Sequence, residues 1–140
     1  MNNSAVKYPI PSHVLTKDFY DFLEYEGTVY NSKTACFEVI RDIYSEQYNK
    51  VFSEDFLSRL EVYEKHHTNY LISEWLDRDF FEVSETRVGD IVVIDTPMNH
   101  LGIFVSNGVF FHSRPNMPSR FSLLKKYKVK GYHRHKESIS

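Results

Sequence analysis

Val39, Ile40, Ile43 and Tyr44 recur at helical spacing, while Glu38, Arg41, Asp42 and Glu46 fall on the opposite side. That pattern predicts an amphipathic helix from Thr34 to Tyr48. Upstream, Phe19, Phe22 and Leu23 share a face of a shorter helical stretch from Leu15 to Tyr25, with Thr16 as its cap. A further helical stretch opens at Ser53 or Asp55 with Phe56, Leu57, Leu60 and Tyr63, and Leu71, Ile72, Trp75 and Leu76 keep the spacing beyond Thr68-Asn69. From Phe80 the period changes. Gly89-Asp90 is a turn, Ile91-Val92-Val93-Ile94 is a β-branched apolar strand, and Thr96 to Asn99 turns the chain again. His100 to Ser106 and Val109 to Ser113 then form a hairpin across Asn107-Gly108, a dipeptide suited to a type I′ turn. A last strand ends near His135. Helices followed by antiparallel strands predict an α+β fold.

The 140 residues suffice for one domain, and 41% apolar with 26% charged residues is a globular composition that excludes a disordered or collagen-like chain. Residues 1–15, broken by Pro9 and Pro11, are expected to form an N-terminal arm, 16–136 one domain and 137–140 a tail. No apolar run approaches the roughly 20 residues that cross a bilayer, and the start lacks a signal peptide's apolar core. The expectation is cytoplasmic synthesis and no membrane partner. One cysteine excludes a disulfide framework and multi-cysteine metal clusters.

Charge is unevenly spread. Residues 1–113 carry 9 Lys+Arg against 18 Asp+Glu, and residues 114–140 carry 8 against 1. A basic segment can meet a polyanion, but Lys128-Val129-Lys130 with Tyr132 reads as an edge strand protected by lysines, which argues against nucleic acid as a partner.

The lone Cys36 falls at the start of the predicted helix, where Ser32 or Thr34 can act as cap. Unpaired N–H groups and the helix dipole favour a thiolate there, so its pKa is expected below the ordinary 8.5 or so. Read alone, such a cysteine is more often a small buried hydrophobe. His100 and His112 alter that balance, because hairpin pairing makes them near-diagonal neighbours that can share a face if the register cooperates. One histidine can then orient the other as the base for a cysteine nucleophile. The remaining histidines, His66-His67 and His133/His135, make no convincing zinc set, and no glycine loop suits a phosphate, so no metal or cofactor is expected.

Three segments, Gly89-Asp90-Ile91-Val92-Val93-Ile94, Asn99-His100-Leu101-Gly102-Ile103-Phe104-Val105 and Phe110-Phe111-His112-Ser113, strongly resemble the strands of the NlpC/P60 cysteine peptidases. Thr34-Ala35-Cys36-Phe37-Glu38 stands where that family has Asp-Cys-Ser-Gly, and Tyr25-Glu26-Gly27 near its upstream tyrosine and glycines. The resemblance spans residues ~20–135. It implies a papain-like fold in which Cys36 is the nucleophile, His100 the general base and acid, and His112 the residue orienting His100. It further implies Tyr25 as a substrate-binding tyrosine and an oxyanion hole of backbone N–H groups near Cys36. The substrate it implies is a peptidoglycan stem peptide, cut after a γ-linked D-glutamyl residue. Cys before His separates the chain from the permuted acyltransferase-like branch. The sequence departs from the family at Ala35, Phe37 and Glu38, and a bulky Phe37 is expected to alter substrate approach. A small domain of this kind also resembles phage versions carried by tail or lysis proteins. The alternatives are a structural or tail-assembly module without catalysis, and an effector amidase acting on another amide.

Overall fold

The computed structural model describes residues 22–32, 34–50, 65–96 and 100–137, and its side chains there apart from those of 65–70. The expected helices from Leu15 and from Ser53 or Asp55 lie outside these residues, except for Phe22 and a 3₁₀ turn at Leu23–Tyr25. The expected turn at Thr96 to Asn99 also lies largely outside them.

Among the described residues, two α-helices and a six-stranded antiparallel sheet form an α+β architecture. Helix α1 is Ala35–Tyr48 and α2 is Lys65–Asp79. The strands are β1 Phe80–Val83, β2 Ile91–Ile94, β3 His100–Ser106, β4 Val109–His112, β5 Arg120–Leu123 and β6 Val129–His135, in the spatial order β1-β6-β2-β3-β4-β5. Strand alternation divides the sheet into two faces. Ile91, Val93, Leu101, Ile103, Phe111 and Phe121 pack with Phe37, Val39, Ile40, Ile43 and Tyr44 of α1 and Leu71, Ile72, Trp75 and Leu76 of α2. The predicted apolar stripe of α1 is therefore its buried face. On the other side Val92, Ile94, Phe104 and Phe110 are buried under Leu124, Tyr127, Val129 and Tyr132. Leu124 and Tyr127, in the chain that connects β5 to β6, thus cover part of the sheet's second face.

The predicted hairpin is present. Asn107 and Gly108 both take positive φ, at 46° and 81°, as a type I′ turn requires. Sequence pattern missed β5, which carries one fully buried residue, Phe121, among half-exposed or exposed neighbours. The edge-strand reading of the lysine-rich segment holds for half of β6. Val129 and Gly131 pair only with β2, Tyr132 and His133 pair with both β2 and β1 and are interior, and Arg134 and His135 pair only with β1. The short strand that covers this second half, Phe80–Val83, has the burial of an amphipathic hook: Phe80 is buried and Phe81 and Glu82 are exposed.

One polar staple closes the Gly89-Asp90 turn. Arg134 donates from Nε and Nη2 to the two oxygens of Asp90 at 2.9 Å each, and the Arg87 N–H donates to the same carboxylate at 2.8 Å. Asp90 is only 2% exposed. The Tyr44 hydroxyl donates to the Gly89 carbonyl, which ties the second half of α1 to this turn. Removing one partner of a buried pair leaves the other charged and unpaired, so Asp90→Ala is expected to cost about 3–5 kcal/mol in urea unfolding. A loss below about 1 kcal/mol would show that water replaces the carboxylate.

Candidate active site

Cys36 is the second residue of α1. Ser32 and Thr34 precede it; Thr34, the N-cap, makes no side-chain cap bond, and the Ser32 hydroxyl accepts the Thr34 N–H at 3.0 Å. The Thr34 carbonyl accepts from Phe37 N–H at 2.9 Å and Glu38 N–H at 3.1 Å, and these bonds start the helix. Helix α1 lies on β3 and β4, and the Cys36 sulfur meets the Leu101 N–H, one residue beyond His100. Phe37 is buried in the core, where its ring meets Trp75 edge-on at 5.5 Å, so the first turn of α1 uses that position for packing.

The two histidines are brought together by an irregularity. Ser106 pairs with Val109 next to the turn, but beyond a β-bulge Phe104 pairs with Phe110 and Ile103 with Phe111. Without the bulge, His112 would fall opposite Ile103 and point to the helix side of the sheet. With it, the register sets His112 opposite Gly102, on the same face as His100. His100 Nε2 and His112 Nδ1 are 2.7 Å apart, and the rings meet at 71°. His112 Nε2 lies 2.7 Å from Ser122 Oγ, and Phe110 stacks on the His112 ring at 4.5 Å. Gly102 permits this crowding: a Cβ there would lie 2.5 Å from Phe110 Cδ2 and 3.0 Å from the Phe111 carbonyl. Both histidines are buried, at 7% and 1% exposure.

Electrostatics differ from the helix-terminus expectation. Cys36 keeps part of its surface in solvent, but burial of the thiol pushes its pKa up to about 11, against the pull of the Leu101, Phe37 and Cys36 N–H groups and of Arg114. Burial likewise pushes His100 down to about 3, with Arg114 adding to the fall. His112 is held well below the usual imidazole range by burial, then by His100, Arg114 and Arg120. In the unliganded protein the trio is neutral, thiol and two imidazoles, rather than a thiolate–imidazolium pair. No hydrogen bond joins the thiol to either ring among the described residues, because the sulfur is turned to the strand backbone and His100 Nε2 to His112. His100 Nδ1 is the ring nitrogen His112 leaves unused. Iodoacetamide alkylation of Cys36 is accordingly expected to be slow at pH 7 and to climb about tenfold per unit toward pH 11. A rate already level at pH 7 would contradict this.

Tyr25 does not join the trio. Its hydroxyl donates to Glu46 Oε1, ten residues along α1 from Cys36 and about 15 Å along the helix axis. Burial and that carboxylate raise its pKa to about 12. Sequence reasoning overlooked Ser122, Arg114 and Arg120. Ser122 was invisible because β5 itself was, although Ser122 and His112 occupy one face of the β4–β5 pair. Arg114 follows His112 by two residues and is exposed, so a cation directly after the second histidine was the available signal.

Among the described residues no group of three or more His, Cys, Asp or Glu side chains is arranged to hold a metal ion, and no helix is long and apolar enough to cross a membrane. No protein-family model matches the chain, and no curated protein is significantly similar to it in sequence.

Proposed function

We propose that the chain is a cysteine amidase of papain-like NlpC/P60 type that hydrolyses the γ-D-glutamyl bond of peptidoglycan stem peptides. The observation that supports it most is the 2.7 Å bond between His100 Nε2 and His112 Nδ1, made beside a strand whose next N–H meets the Cys36 thiol. A base held at one nitrogen by a third group, with its other nitrogen left for a nucleophile at a helix start, is the logic of a triad.

In this reading the thiol and imidazole start neutral. His100 Nδ1 takes the Cys36 proton as the sulfur attacks the scissile carbonyl carbon. The tetrahedral oxyanion is met by the Cys36 N–H at the start of α1, and collapse expels the amine, which takes the proton back from His100. Water then attacks the thioester, again with His100 as base, and releases the acid and the thiol. His112 accepts the His100 Nε2–H throughout and stabilises the imidazolium that forms. Burial disfavours a standing ion pair but not a transient one, since charge develops only when a substrate oxyanion is present to balance it.

The substrate and the idea of delivery on a phage tail follow from the family resemblance of residues 89–113. Incubation with defined muropeptides, followed by mass analysis of the products, tests the substrate. Cleavage between D-glutamate and the third residue supports the reading, and intact muropeptides alongside turnover of another amide would replace the substrate class.

A further inference from the structure

Beyond the trio, a polar chain continues across the sheet. His112 Nε2 meets Ser122 Oγ at 2.7 Å, and Ser122 and Arg120 neighbour the Tyr127 phenol. Tyr127 also stands edge-on to the His112 ring, with centroids 5.8 Å apart. Ser122 and Arg120 share the sheet face of His112 and His100, and the groups that meet the thiol are the backbone N–H groups of Leu101, Phe37 and Cys36, not these side chains.

A chain of this kind can be protonated in only two directions. Each neutral imidazole has one donor and one acceptor, and a guanidinium only donates. If His112 Nε2–H donates to Ser122, then His112 Nδ1 is an acceptor, His100 Nε2–H donates to it, and His100 Nδ1 is a bare lone pair. If Ser122 donates to His112 Nε2, every bond reverses: His112 Nδ1–H donates to His100 Nε2, and His100 Nδ1 carries the proton. Only the first arrangement leaves a base for the thiol. Both histidines are buried, so water offers no easy substitute partner that would let the tautomers drift.

We propose that Ser122 is a positioning residue that accepts the His112 Nε2–H and thereby fixes the tautomer in which His100 Nδ1 is unprotonated. The inference rests on the hydrolase reading for its consequence in catalysis, but the tautomer itself is measurable without turnover.

The test is long-range ¹H–¹⁵N correlation of the imidazole rings at pH 7, on the full chain and on Ser122→Ala and Ser122→Thr. The expected result is Nε2-protonated His100 and His112 in the unaltered chain. Ser122→Ala is expected to give mixed or reversed tautomers, and Ser122→Thr to restore the original ones. In a hydrolysis assay Ser122→Ala should lower kcat at least ~10-fold with little change in KM, as wrong-tautomer variants of triads do. Nδ1-protonated His100 in the unaltered chain would overturn the proposal even if no variant folds. Unchanged tautomers and kcat in Ser122→Ala would overturn it as well. Tautomers that respond as expected in a chain that cleaves no amide would uphold the role of Ser122 and refute the hydrolase reading.

Discussion

Cys36→Ala is expected to abolish amide hydrolysis, by ~10³-fold or more, while changing the unfolding free energy by less than about 1 kcal/mol. Loss of the nucleophile removes the covalent step, and what remains is oxyanion stabilisation without an attacking atom. The fold tolerates the change because Cys36 is a partly exposed residue in the first turn of α1, and alanine suits a helix better than cysteine. His100→Ala should cost as much activity, since the thiol is neutral and has no other base among the described residues. His112→Ala should be milder, because an orienting group positions the base without replacing it. Activity should also persist below pH 6.5, because burial keeps His100 unprotonated down to about 3. A catalytic acid limb near pH 6.5 in a chain that is still folded would contradict that electrostatic picture.

The second large effect concerns acid stability. In the unfolded chain His100 and His112 take up protons near pH 6.5, whereas burial holds His100 to about 3 and His112 well below its usual range in the fold. Between pH 6.5 and about 3 the unfolded state therefore binds more protons than the folded one, so stability falls as pH falls. Each histidine adds a slope of up to about 1.4 kcal/mol per pH unit, which amounts to about 3 kcal/mol for His100 by pH 4, with His112 acting in the same direction. The two titrations are coupled, because protonating one ring raises the cost of protonating its neighbour 2.7 Å away. Urea unfolding at pH 7 and pH 4, compared between the unaltered chain and His100→Gln/His112→Asn, isolates this contribution from that of the carboxylates. A clearly flatter pH dependence in the double variant is the expected result. The same dependence in both chains would mean that water or a partner group reaches the buried rings.

How much of this was legible in the sequence depends on how local each signal is. The stripe of α1, the β-branched run of β2 and the Asn107-Gly108 turn are short-range patterns, and each appears at its expected place. The hairpin's register was not legible. Asn107-Gly108 sets the first pair, Ser106 with Val109, but the bulge that follows depends on packing along the whole sheet, and it decides which face His112 occupies. The thiol's pKa failed for a related reason. A helix N-terminus is readable from Ser32-Lys33-Thr34, whereas the burial that outweighs it comes from strands sixty residues later in the chain. Tyr25 illustrates the third limit. An aromatic at the right distance upstream satisfies a motif, but Glu46 competes for its hydroxyl, and that carboxylate becomes a neighbour only when α1 forms. The Asp90–Arg134 staple shows the same dependence in reverse: a turn aspartate gains its purpose from a residue forty-four positions away.

The claim on which the account depends is that Cys36 forms a covalent bond to the acyl group of the substrate. Intact-mass measurement of the protein, mixed with a γ-D-glutamyl stem peptide and quenched in acid during turnover, tests it most directly. The account predicts an added mass equal to the acyl fragment, mapped to Cys36 by digestion and absent from Cys36→Ala, with the free amine product appearing alongside it. Products released by Cys36→Ala at the rate of the unaltered chain, with no adduct on either, would contradict it.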